Sequence, residues 1–234
     1  MKFNNYKEPP SYTYLKKKLD ISTDEFYKSF KIQNIDAHSQ IIEANLYASR
    51  LNFFINDFLK KNYVSFLDCG CGLGFIAREL IKLSPLSIHY CDPSISIKEI
   101  HTKIFPQENF FQSDIENIKN YGKKFDLIYL REVYPFTRDS SYQNQNKLIK
   151  ILNNQLNNNG ILIFEQIKNK EDLFDNLSKL RLNHKIIPLL PVKAGKKRFL
   201  NNIFFKSFFL QILLKIIYKI FNKDINYFIL INKF

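Results

Sequence analysis

From Tyr63 onward, short runs of apolar and β-branched residues alternate with stretches whose apolar positions recur every three or four residues. The runs predict strands at Tyr63–Asp68, Leu86–Asp92, Asn109–Asp114, Lys124–Glu132, Ile161–Glu165 and roughly His184–Leu190, with a last strand in the closing INYFILINKF. The stretches between them predict helices over Gly74–Leu83, Ile95–Ile104, Gln143–Leu156 and Glu171–Arg181. Such alternation, with strands apolar almost throughout, predicts an α/β fold: a mostly parallel sheet with helices on both faces. Upstream, residues 1–60 read as helical and polar-rich, broken by Pro9-Pro10 and a loop near Gln33–Asp36. Ser22–Glu25 (STDE) has the form of a capping box. Ile41, Ile42, Leu46, Leu51, Phe54, Ile55, Phe58 and Leu59 place a helical stripe between Ala37 and Lys61.

In a parallel sheet of this kind, ligands bind outside the carboxyl ends of the strands. The chain owns six glycines, and three of them fall in VSFLDCGCGLG (Val64–Gly74), directly after the first strand. Glycine allows positive φ and close approach of backbone to ligand, so this turn is a candidate binding loop. Asp92, Asp114 and Arg131–Glu132 also sit at predicted strand ends. A dinucleotide fingerprint needs G-x-G-x-x-G/A, but the third position from Gly70 and Gly72 is Phe75. Asp68 would moreover repel a pyrophosphate at the following helix N-terminus, whereas it suits a ligand carrying positive charge. No Gly-Lys-Ser/Thr follows, which excludes a Walker loop.

The formal net charge of +13 raises the question of an acidic partner. Apart from Lys16–Lys18 and the KAGKKR of Lys193–Arg198, however, the basic residues read as dispersed. The three cysteines, Cys69, Cys71 and Cys91, have neither disulfide-framework nor zinc spacing, and no metal site is expected. They read as small buried hydrophobes, and reduced thiols fit a cytoplasmic protein. The first residues hold no apolar h-region, so no secretory leader is expected.

The D-x-G-x-G-x-G turn LDCGCGLG, closing a first strand, resembles motif I of the class I S-adenosylmethionine-dependent methyltransferases. The similarity continues in order through HYCDPS, QSDI, FDLIYLREV and NNGILIFEQ, over roughly residues 40–190 and the last strand. The resemblance implies a Rossmann-like seven-stranded sheet whose last strand is antiparallel, with S-adenosylmethionine as cofactor. It assigns Asp68, Gly70, Cys71, Gly72 and Gly74 to the cofactor loop. Asp92 and Pro93 fall to the ribose, and Ser113, Asp114 and Ile115 to the adenine. Arg131 is a candidate for cofactor or acceptor. Glu132 is the candidate base, with a capping or supporting role as the alternative; Arg131 and Arg138 are candidates to hold an anionic acceptor and Tyr134 to wall the pocket. His38 and Tyr47 are candidates for a lid. Members that methylate exocyclic amines carry Asn/Asp-Pro-Pro-Tyr after the fourth strand, and those making 5-methylcytosine carry Pro-Cys; neither is present here.

Phe199–Asn222 is mostly apolar, and its Lys206, Gln211, Lys215, Lys219 and Asn222 form one narrow helical stripe. The lysines and glutamine interrupt the roughly 20 apolar residues a membrane span requires. Three readings stand: a pocket cap or core helix, a homodimer face, or peripheral contact with a membrane surface. The expected organisation is a helical extension over 1–40 and a methyltransferase domain over 41–234, with a helical insertion at 196–223. The expected function is O- or N-methylation of a small-molecule or sugar/surface-glycan acceptor. The alternatives are an RNA methyltransferase using the basic surface, and a non-catalytic protein that keeps the fold for binding.

Overall fold

The computed structural model describes residues 44–104, 109–134, 136, 141–166, 170–189, 207–220 and 227–233. His38, Arg138 and the 1–40 extension lie outside them. Six helices and seven strands follow in the order α1 (Ala44–Phe53), β1 (Ser65–Cys69), α2 (Phe75–Ile81), β2 (Ser87–Asp92), α3 (Ile95–Ile104), β3 (Asn109–Gln112), β4 (Phe125–Arg131), α4 (Tyr142–Asn154), β5 (Leu156–Gln166), α5 (Lys170–Lys179), β6 (His184–Pro188), α6 (Phe208–Ile220) and β7 (Tyr227–Asn232). A π-helical turn, Phe54–Leu59, continues α1, and a 3₁₀ turn, Ile118–Tyr121, precedes β4.

The strands form one sheet in the order β3-β2-β1-β4-β5-β7-β6, parallel except for β7, which runs antiparallel to both β5 and β6. This is the Rossmann-like methyltransferase arrangement expected from the sequence. Side chains alternate across each strand, so consecutive apolar residues feed two cores. Phe66, Leu127, Tyr129, Ile163 and Phe228 pack under α1 and α2. Leu67, Ile128, Leu130, Phe164 and Ile229 pack under α4 and α5 with Leu148, Leu152 and Leu177. Burial on both faces is why Phe66–Leu67, Leu127–Leu130 and Ile161–Phe164 read as unbroken apolar runs.

Two expectations need correction. The fifth strand starts at Leu156, ahead of the expected Ile161, with a register shift opposite Phe125–Leu127. Asn157 stays in the strand because its side-chain amide donates to Asp126 Oδ1 at 2.8 Å, while Asn159 takes up the irregularity at φ 63°. The second correction concerns α6. Among its described side chains, only Leu210 and Leu214 pack against the core, whereas Phe209, Ile212, Leu213, Ile216 and Ile217 face solvent. Over those five positions α6 is not a core helix.

Candidate active site

The sheet topology brings the carboxyl ends of β1, β2 and β4 side by side, and the glycine turn lies across them. Gly70, Gly72 and Gly74 all adopt positive φ, at 74°, 55° and 72°. The Gly70 and Cys71 N–H groups donate to the Cys91 carbonyl at 2.7 and 3.0 Å, and Gly74 N–H donates to the Cys71 carbonyl at 2.9 Å. Two of the glycines are also required by space. A Cβ on Gly74 would come within 2.6 Å of the Tyr90 ring, and one on Gly70 within 2.7 Å of Val133. The turn is therefore clamped between β2 and the segment after β4.

Asp92 ties the second strand end to the turn. Its carboxylate accepts from Gly72 N–H at 3.0 Å through Oδ2 and from Ser94 N–H at 3.0 Å through Oδ1. Each carboxylate oxygen keeps acceptor capacity, as a pair of ribose hydroxyls would need. Burial raises the Asp92 pKa. Pro93, beside it, is exposed. Ser113 N–H donates to the Asp92 carbonyl at 3.1 Å and is buried, and Ile115 packs into the core below. Asp114 is exposed, and its carboxylate accepts from the Asn117 N–H at 2.8 Å and side-chain amide at 2.9 Å. It thus closes a turn as well as standing at the end of β3.

Beneath the turn is a small cleft lined by Asp68, Gly70, Cys71, Phe75, Ile76, Tyr129 and Arg131. Burial pushes the Asp68 carboxyl up to about 7, reinforced by the nearby Asp92 and opposed by Arg131. A carboxylate left this poorly solvated is suited to receive a cation. Arg131 lines the same cleft. Burial works against its charge, but Glu165, Tyr47 and Tyr129 outweigh that and raise its pKa. Its guanidinium lies 4.2 Å from the Tyr47 ring centroid, a cation–π stack, and its Nε has no hydrogen-bond partner among the described residues.

Three residues that sequence reasoning did not single out support Arg131. Arg50 on α1 forms a buried ion pair with Glu165 Oε1, and Tyr129 Oη donates to Glu165 Oε2 at 2.6 Å. Arg50 also lies over the Tyr47 and Phe228 rings. The available signal was Glu165 itself: a carboxylate ending an apolar strand beside Arg131 needs a buried partner. Tyr47, expected as a lid, is buried and packs between the two arginines. Glu132 adopts φ 51°, with its N–H donating to the Glu165 carbonyl at 3.1 Å. A left-handed non-glycine residue stores strain, a frequent feature of functional loops. Tyr134 is 63% exposed.

The cysteines are buried and free. Its hydrogen bond with Cys91, then burial, lifts the Cys69 thiol well above its ordinary pKa; burial does the same for Cys71. Neither is a ready nucleophile.

A cleft at the glycine turn of this sheet, with an acidic residue at the end of each of its first two strands, defines a class I Rossmann-like methyltransferase. A family model described as "Methyltransferase domain" matches residues 60–223, and the chain belongs to that family. Among solved structures, the chain resembles the plantazolicin methyltransferase BpumL in complex with SAH, at 18% identity and TM-score 0.59 over 94% of each chain. It likewise resembles the plantazolicin methyltransferase BamL in complex with a triazolic desmethylPZN analog and SAH, at 16% identity and TM-score 0.59 over 94% of each. Comparison with curated proteins returns no match.

S-adenosylmethionine fits the residues present. Its amino-acid end needs an anion and a cation a few ångströms apart in one cleft, and Asp68 and Arg131 line the same cleft with Arg131 Nε unpaired. Its ribose needs a carboxylate at the end of β2, where Asp92 stands.

Proposed function

We propose that the protein transfers the methyl group of S-adenosylmethionine to oxygen or nitrogen of a small-molecule or sugar acceptor. The observation that carries this reading is that Asp68 and Arg131 line the same cleft under the glycine turn. The bound cofactor supplies an electrophilic methyl group on a sulfonium. Asp68 would hold the cofactor ammonium and Arg131 its carboxylate, with Asp92 on the ribose and the Ser113–Asp114 segment beside the adenine. The Arg50–Glu165–Tyr129 network fixes Arg131 so that the cofactor is bound in one orientation; alignment is the protein's main contribution to a displacement at carbon. Glu132, directly after β4, would take a proton from the acceptor, a general-base role. Tyr134 forms an exposed wall beside it. Three reduced, buried thiols support a place in the cytoplasm.

Calorimetric titration with S-adenosylmethionine and S-adenosylhomocysteine tests the first half, with NADH as control and a Gly72→Arg variant alongside. Micromolar binding that the variant loses is the expected result; a folded protein that binds neither ligand would refute the reading. Transfer of labelled methyl groups to a panel of small acceptors and sugars then tests the second half, with Glu132→Gln expected to lose turnover while keeping cofactor affinity.

A further inference from the structure

The net charge of this chain has one principal source. Between Asp175 and Asp224 there is no Asp or Glu, yet eleven of the 35 Lys and Arg lie there; the rest of the chain holds 24 basic against 22 acidic residues and is nearly neutral. Toward the C-terminal end of that basic segment is α6, whose N-terminus is capped by Ser207, its Oγ accepting from Leu210 N–H at 3.2 Å. Phe209, Ile212, Leu213, Ile216 and Ile217 follow the i, i+3, i+4, i+7, i+8 spacing of one helix face, and all are exposed, Phe209 by 72% and Ile216 by 50%. The core-facing residues Leu210 and Leu214 lie to one side of that face, and the exposed Lys215 to the other.

We infer that this face of α6 lies on an anionic lipid bilayer surface. An apolar stripe bordered by Lys215, on a helix that holds no acidic residue, has the chemistry of an interfacial helix: apolar side chains enter the acyl boundary while cations meet the headgroups. The charge of this segment of the chain is complementary to such a surface and to no apolar protein face. A nucleic acid would match the charge but gain nothing from four solvent-facing Ile and Leu side chains, which neither stack on bases nor read them. No described helix is long and apolar enough to cross a membrane, so the contact is a surface one. Its position also matters. Pro188 pairs with Tyr227, and Tyr227 with Gln166, so the connection bearing α6 leaves and returns at the sheet edge where Arg131 and Glu165 end. The lipid contact and the cleft thus share one end of the sheet. The contact stands on its own evidence, whether or not methyl transfer is established.

The test is flotation of the full chain with vesicles of phosphatidylcholine alone, and of phosphatidylcholine with about one-third phosphatidylglycerol, at low and high salt. The wild-type protein is expected to float with the anionic vesicles, far less with the neutral ones, and less at high salt. Ile212→Glu/Ile216→Glu is expected to reduce the bound fraction at least tenfold, and Lys215→Glu several-fold. Both variants change exposed positions, and their unchanged thermal melts and S-adenosylmethionine titrations would show that the fold is intact. Equal flotation of the double variant would overturn the inference, as would failure of the wild-type protein to float with either vesicle. Dimerisation that the double variant abolishes, without any vesicle binding, would assign the face to a second copy of the chain and overturn it as well.

Discussion

Arg50 and Glu165 are 115 positions apart in sequence and form a fully buried ion pair that fastens α1 to the catalytic end of β5. Removing one partner strands the other charge in the core. Arg50→Met and Glu165→Gln are each expected to destabilise the protein by about 3–5 kcal/mol, and the double variant by clearly less than their sum. Urea unfolding of the three variants measures this. Additive losses would mean that the two residues act separately.

Asp68 should trade stability for binding. Its folded-state pKa of about 7 lies above the ordinary carboxylate value, so between roughly pH 4 and 7 the folded state holds the extra proton. Stability from this group is therefore lost as pH rises through that window. Asp68→Asn is expected to raise the Tm of the ligand-free protein at pH 8 by roughly 3–6 °C, with no gain at pH 4. The same change should abolish S-adenosylmethionine binding, and wild-type affinity should increase from pH 6 to pH 8 as Asp68 ionises.

The opposite sign holds at His101. Burial, and to a lesser degree Arg78, lowers its pKa to about 4, so the unfolded chain takes up the proton first as pH falls. Stability contributed by this group is complete above about pH 6.5 and is lost toward pH 4. The ring packs between Tyr90 and Phe110, with centroids 4.6 and 4.7 Å away. A His101→Phe variant should flatten the acid side of a Tm-against-pH curve; an unchanged slope would place the acid sensitivity elsewhere.

Two glycines with nearly the same φ should respond differently to alanine. Gly74→Ala forces a Cβ to within 2.6 Å of the Tyr90 ring at φ 72°, whereas Gly122→Ala meets nothing within 4 Å at φ 69°. Gly122→Ala is expected to lose about 1 kcal/mol from backbone strain alone. Gly74→Ala should lose several times that, together with cofactor affinity, and Tyr90→Leu should restore part of the loss. Denaturant melts distinguish the two sites.

The fold was readable because its determinants are local. Unbroken apolar runs bounded by turn residues, such as Ile161–Phe164 after Gly160, fit strands buried on two faces, and the D-x-G-x-G-x-G turn marks the strand after which the cleft opens. The strand at Leu156–Gly160 was missed because Asn157 is held by Asp126, some thirty positions away, and no local pattern announces that partner. The site divides in the same way. Asp68, the turn and Asp92 lie within 25 residues and announce themselves by spacing. Arg50, Tyr129 and Glu165 meet only once α1 has docked on the finished sheet, and each alone resembles an ordinary residue of its element. The outward face of α6 was illegible for another reason: amphipathicity tells which positions are apolar, not which of two apolar flanks the core accepts.

The antiparallel strand β7 sets the timing of folding. It lies between β5 and β6 and supplies strand partners to both, so β6 has no neighbour in the sheet until Tyr227–Asn232 has been synthesised. While the chain is being made, at about 5–20 residues per second, the β3-β2-β1-β4-β5 half can assemble first and expose the free edge of β5. The basic, apolar segment that carries α6 is thus produced during the interval when that edge is still open. A nascent chain paused there would present the unpaired edge together with the α6 face, which makes this interval the point of greatest exposure to aggregation or chaperone capture.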